Sequence, residues 1–349
     1  MLRARASGRF HLCVLATAWC ARNAVAMRVV PSMVPANVRS LTINPHLPWL
    51  TRKRALSGTR WEASAGSGGR CESFLERILR AEAAQRTLIG SWNCIGSPEV
   101  TEVLADAGMD FICLDMEHSS MGLETVAHNI RAAQAAMAPP VVRVPGQGPG
   151  KPDLKEIMRV LDLGASAVIV PGALSKEDVE AVMAAGAFPK PVSQADGAAS
   201  AARDGIRGAN PFVRAGRHGL IPPSDYHRKS NEETVIIPLL ETPAAFEQLP
   251  EIMQVEGIKV VAFGPFDLSV AMGFDGVRTS EVEACLMKGV EVARQYGVRP
   301  MLPVLDLTAE STGETLKRWE DKGVRLFTVG VDKALLGRAA KGFLDACRR

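Results

Sequence analysis

Asp115, Glu117 and His118 close an otherwise apolar run in FICLDMEHSS, residues 111–120. Packing of a buried strand asks for none of them. The pattern recurs along the chain: Arg143 lies in PVVRV, Glu241 ends TVIIPLLE, Asp267 follows KVVAFG within GPFDLS, and Asp332 follows RLFTVG. Glu241 and Asp267, with few nitrogen or sulfur ligands near them, suit a hard divalent ion held through oxygen, with positions left for water or substrate, as Mg²⁺ or Mn²⁺ prefers. Arg143 offers a fixed fork for a carboxylate or enolate oxygen, and His118 is the natural proton carrier near neutral pH. Together these groups could bind a 2-oxo acid, stabilise its enolate and move a proton. Singly, each has a plainer role: a Glu at a strand end is commonly a solvated or salt-bridged rim residue, and Glu117 could only orient its neighbours. His128, His218 and His227 sit at no strand end and read as packing or capping residues.

Convergence of such distant residues requires elements that bring them to one place. Eight runs rich in Val, Ile, Leu and Phe alternate with stretches of helical periodicity: 88–92, 111–115, 140–144, 167–171, 234–241, 259–264, 299–305 and 325–330. They are continuous, not alternating, as in parallel strands covered on both faces. SPEVTEVLADAG predicts a helix capped by Ser97, with Pro98 at its first position and Gly108 at its close. SKEDVEAVMAAG predicts another, with Ser175 and Asp178 in a capping box and Gly186 at the end. Eight strand-helix units in this length predict a closed (β/α)₈ barrel, and no glycine-rich first turn announces an open nucleotide-binding sheet; GQGPG at 146–150 reads as a loop. In a barrel all strand ends named above open on one face, where barrel active sites lie. No strand-interior lysine reaches that mouth, since Lys259 begins its strand, so Schiff-base chemistry is disfavoured. The small, polar segment 190–204 reads as a flexible insertion.

The first 61 residues carry ten Lys or Arg and no Asp or Glu, scattered among Ala, Ser, Val and Leu. This is the composition of a targeting presequence, assigned to residues 1–75, for delivery to a mitochondrion or plastid, with the catalytic barrel at 76–349. Without those ten, 31 basic residues face 38 acidic ones, a formal balance of −7. An acidic body argues against nucleic acid as a partner, and no stretch is long enough for a membrane helix. Seven cysteines without ligand spacing read as free thiols, Cys113 as a small core residue.

GSWNCIGSPEVTEVLADAGMDFICLDMEHSSMG, PVVRVPG, VLDLGASAVIVPGALS, LLETPAAFEQLPEIMQVEGIKVVAFGPFDLSVAMGF and RLFTVGVDKALL together resemble the HpcH/HpaI aldolase family, over roughly residues 86–346. The resemblance implies a phosphoenolpyruvate/pyruvate-type (β/α)₈ barrel assembled as a hexamer, a trimer of dimers that exchange their last helix. It implies one divalent ion per subunit (Mg²⁺, Mn²⁺ or Co²⁺) on Glu241 and Asp267, His118 as base, and Arg143 as stabiliser of the pyruvate enolate. Asp162 would raise the basicity of the histidine, with Asp115 a further acidic position near it. The main chain at Phe266 and Asp267 would meet the substrate carboxylate. Substrates would be a small 2-oxo acid and an aldehyde, joined as a 4-hydroxy-2-oxo acid. Where these aldolases commonly place Gln, this chain has Leu239, which removes one amide contact. A coenzyme A thioester lyase and a non-catalytic metabolite-binding barrel are the alternatives.

Overall fold

The computed structural model describes residues 70–348 apart from 149, 191–204, 275–278 and 307. Nearly all of the expected presequence, and all but Lys190 of the expected insertion, lie outside the described residues. Eight parallel strands close into a barrel in chain order: β1 Leu88–Asn93, β2 Phe111–Asp115, β3 Pro140–Arg143, β4 Ala167–Val170, β5 Val235–Leu240, β6 Val260–Phe263, β7 Arg299–Val304 and β8 Leu326–Val331. Each coincides with one of the eight apolar runs. β1 pairs with both β2 and β8, with a register shift between Gly90 and Trp92 at the closing seam.

Side chains alternate across each strand. Phe111 and Cys113 enter the barrel interior with Val141, Ile169, Ile237 and Met301. Ile112 and Leu114 face outward, against the surrounding helices. That second layer explains why the strands are apolar on both faces.

The helices are α1 Phe74–Ala83, α2 Pro98–Asp106, α3 Leu123–Ala135, α4 Leu154–Asp162, α5 Lys176–Gly186, α6 Pro223–Glu233, α7 Pro243–Glu247, α8 Leu249–Ile252, α9 Pro265–Ala271, α10 Ser280–Gln295, α11 Ala309–Asp321 and α12 Asp332–Cys347. α1 precedes the first strand and plugs the barrel's N-terminal face. Phe74, Ile78 and Ala81 join the interior cluster, and Phe74 meets Phe111 edge-on at 5.0 Å. Its start is a capping box of Ser73 and Glu76, so the folded body begins ahead of residue 76. Among the described residues no helix is long and apolar enough to cross a membrane.

Two expected caps work differently. Ser97 has the extended backbone of an N-cap, but its side chain makes no capping bond. The Ser175 and Asp178 box forms, whereas Gly186 is the helix's last residue; a Cβ there would lie 2.5 Å from Ile236, so close packing on β5 is what requires glycine. Gly90 is subject to the same constraint, because a Cβ would stand 2.4 Å from the buried Phe111 ring. Gly90→Ala is therefore expected to destabilise the barrel by about 1–3 kcal/mol, the usual cost of overpacking. The shift of its urea midpoint against the parent chain measures this.

Candidate active site

The polar residues at the strand ends converge as a barrel requires. A cavity of about 460 Å³ at the C-terminal mouth is bounded by Asp115, His118, Arg143, Glu241, Phe266 and Asp267. Its apolar wall includes Trp92, Leu239 and Met301. Leu239 occupies the wall with no donor to offer, as its side chain dictates.

Asp115 and Arg143 are paired in register on β2 and β3. The Arg143 Nε and Nη2 donate to the two Asp115 carboxylate oxygens, each at 2.8 Å. Their side chains are 13% and 2% exposed. Burial alone would raise the Asp115 carboxyl, but the bonds and charge of Arg143 outweigh it and hold the carboxyl below its ordinary value. Asp115 also accepts the main-chain N–H groups of Glu117 (3.0 Å) and His118 (3.4 Å). It thus fixes the loop that carries the histidine, and it reaches that residue's backbone, not its ring.

The remaining Arg143 nitrogen, Nη1, lies 3.3 Å from a Glu117 oxygen. The guanidinium also stacks 4.6 Å above the Trp92 ring, whose indole N–H donates to the Thr328 hydroxyl at 2.9 Å. Trp92 escaped the sequence analysis; its place one residue before the end of β1 was the available signal. His118 is 63% exposed, with Nε2 3.8 Å from Glu117.

Glu241 follows β5 and turns toward the first turn of α9, which carries Asp267. Gly264 makes this possible, since a Cβ there would stand 2.6 Å from a Glu241 oxygen. Burial, then the charges of Asp267 and Glu117, push the Glu241 carboxyl up to about 8 despite Arg143. Burial likewise raises Glu117. Crowded carboxylates with too little positive charge are what a cation would relieve, so the residues present fit a divalent ion. Among the described residues no cluster of three or more His, Cys, Asp or Glu could hold a metal. The chain would supply Glu241 and Asp267, leaving other positions to water or substrate, in keeping with Mg²⁺.

Three residues differ from expectation. Asp162 is the last residue of α4, a helix that starts at the mouth and ends at the opposite face. Its carboxylate accepts from the Arg207 Nη2 at 2.7 Å, beside Tyr226, so within this chain it cannot act on the His118 ring. Asp332 is a strut: it accepts the N–H groups of Cys94 (3.0 Å) and Ile95 (2.8 Å), tying the exit of β8 to that of β1. Lys333 brings an ammonium group to the mouth, which no strand-interior lysine does; it lines the cavity from the first turn of α12. Lys259 sits at the other face and donates to the carbonyls of Glu232 and Thr234.

Two measurements follow from this geometry. Asp115→Ala would strand a buried guanidinium and is expected to cost about 3–5 kcal/mol of stability, read by urea denaturation. The Glu241 carboxyl binds a proton more readily folded than unfolded, between its ordinary 4.5 and about 8. Its contribution to stability is therefore present at low pH and lost as pH rises through that window. In chelator-treated protein, melting temperature should fall more steeply with pH across this range for the parent than for Glu241→Gln; parallel profiles would contradict the buried-charge account.

The comparisons agree with this architecture. The pattern of the HpcH/HpaI aldolase/citrate lyase family matches residues 88–337. The 4-hydroxy-2-oxo-heptane-1,7-dioate aldolase of Escherichia coli is 31% identical over 260 residues, covering 74% of this chain and 89% of that enzyme. A hydroxypyruvate/pyruvate aldolase of Sagittula stellata is 30% identical over 265 residues, covering 76% and 94%. Among solved structures, an HpcH/HpaI aldolase/citrate lyase family protein from Burkholderia cenocepacia superimposes with a TM-score of 0.66 at 29% identity, covering 76% of this chain and 95% of that one. By pattern, identity and fold alike, this chain belongs to the HpcH/HpaI aldolase/citrate lyase family.

Proposed function

We propose that the protein is a divalent-cation-dependent aldolase that cleaves a 4-hydroxy-2-oxo acid into pyruvate, or a close 2-oxo acid, and an aldehyde. The observation that carries this is the Arg143 guanidinium, locked by Asp115 and Trp92 and facing the same cavity as His118, Glu241 and Asp267. Two relatives named as aldolases, one of 4-hydroxy-2-oxo-heptane-1,7-dioate and one of hydroxypyruvate/pyruvate, support it.

Glu241 and Asp267 would hold the cation, which when bound would polarise the 2-oxo group and stabilise negative charge on its oxygen. The N–H groups in the first turn of α9, at Phe266 and Asp267, would receive the substrate carboxylate, a helix start being suited to an anion. His118 takes the proton of the 4-hydroxyl. The C3–C4 bond then breaks, its electron pair passing to the 2-oxo acid as an enolate while the aldehyde carbonyl forms. Arg143 stabilises the enolate charge without moving, because its plane is already set. His118 returns the proton to C3, so the cycle closes without net proton change. The exposure of His118 suits a group that must meet substrate from the solvent side.

The assembly proposal rests on α12. Of its residues only Asp332 is buried, while Leu335, Leu336, Phe343 and Leu344 are exposed. An apolar helix with so little of its own barrel to cover supports its exchange with a second copy, in dimers that associate as a hexamer. The basic, acid-free amino-terminal composition supports delivery to a mitochondrion or plastid.

The decisive experiment is exhaustive chelation. Pyruvate release from 4-hydroxy-2-oxo acids should vanish and return with Mg²⁺, Mn²⁺ or Co²⁺; activity indifferent to chelation would reject the mechanism, and dependence on coenzyme A would favour a thioester lyase. Arg143→Lys should lower kcat at least tenfold, since an ammonium cannot occupy both Asp115 oxygens and the Trp92 face together. Phe343→Glu should reduce the assembly size seen by light scattering.

A further inference from the structure

The opposite end of the barrel holds a second cavity, of about 220 Å³, formed where β1, β7 and β8 begin and α1 crosses beneath them. Ile78, Leu88 and Leu326 give it an apolar floor. Its rim carries four guanidinium groups, Arg86, Arg294, Arg299 and Arg325, against a single carboxylate, Glu82.

The four arginines are not equivalent. Arg86 is neutralised by Asp110, with Nη1 2.8 and 2.9 Å from its two oxygens. Arg299 is neutralised by Glu82, through Nε and Nη2 at 2.5 and 2.9 Å. Arg294 and Arg325 form no ion pair among the described residues. Arg294 donates Nη1 to the Lys322 carbonyl at 2.9 Å and lies against Gly323, where a Cβ would fall 2.4 Å from its guanidinium carbon. Arg325 donates Nη1 to the carbonyls of Glu320 (2.7 Å) and Val324 (2.9 Å). The Glu320 carboxylate accepts from the Thr87 hydroxyl at 2.5 Å and forms no ion pair with Arg325. Main-chain carbonyls thus orient both guanidiniums without cancelling their charge.

We propose that this cavity binds a small anion carrying phosphate or carboxylate groups, gripped by Arg294 and Arg325 above the apolar floor. Planar guanidiniums match either oxyanion through paired N–H bonds. At about 220 Å³ the cavity is smaller than the pockets that usually hold drug-sized ligands, which suits a small anion. The site is separate from the mouth, since its walls are strand beginnings and those of the active cavity are strand ends.

Calorimetric titration of the full chain, chelated and held at constant ionic strength, tests this with inorganic phosphate and succinate as probes. At least one should bind saturably, once per chain, and the stronger of the two identifies the anion class. Binding should survive Arg143→Gln, weaken at least tenfold in Arg294→Gln and in Arg325→Gln, and be unaffected by Arg228→Gln on the exposed face of α6. Circular dichroism melting checks that the variants fold; if one does not, the other decides. The proposal is overturned if neither probe binds beyond a sodium chloride control, if Arg143→Gln abolishes binding, or if the folded Arg294 and Arg325 variants bind as the parent does.

Discussion

The bidentate pair of Asp115 and Arg143 sets the geometry of the whole mouth. Each residue is the last of its strand and they stand opposite one another in the β2–β3 ladder, so main-chain hydrogen bonds decide where both side chains start. Two N–H groups meeting two oxygens then remove the freedom of the guanidinium plane. Trp92 covers its face, and Nη1 is left toward Glu117 and the cavity. Taking such a pair out of water costs several kcal/mol per ion, and only complete bonding offsets it. That completeness also suits catalysis, because a group that need not reorganise stabilises developing charge most effectively.

A consequence appears on the other side of the cavity. Arg143 is the positive group that lowers Glu241, and Asp115 and Glu117 already claim it. Glu241, lowered into the mouth beside Asp267, has no comparable partner, and the apolar wall of Leu239 and Met301 screens little of the repulsion. The mouth can relieve this charge by taking up a proton or a cation. A cation is the alternative that leaves both carboxylates ionised and still offers coordination positions to a substrate.

All eight strands were legible in the sequence because strands covered on both faces must be continuously apolar, and polar residues at their ends were conspicuous for the same reason. His118, Arg143, Glu241 and Asp267 emerged this way and do share one cavity. Asp332 gave the same signal but serves the seam between β1 and β8, since position at a strand end does not say which way a carboxylate turns. Asp162 was assigned by likeness alone. Its partner, Arg207, is 45 residues away in sequence, beyond any local pattern. α1 was not among the helices read from the sequence, although Ser73 and Glu76 spell a capping box.

The two ends of the barrel have opposite electrostatic character. Carboxylates crowd the strand ends, whereas near the strand beginnings Arg294 and Arg325 form no ion pair among the described residues. Between them the interior is filled by buried side chains such as Phe111 and Ile169. The strands do connect them: Leu88 and Leu326 floor the lower cavity, while Trp92 of β1 and Val331 of β8 line the upper one. Coupling through such elements needs a part of the structure with two alternative arrangements, and a closed barrel with a packed interior offers little room for one. An anion at the base should therefore act by mass action, stabilising the folded chain in proportion to its concentration over its dissociation constant, and leave the geometry around Arg143 undisturbed.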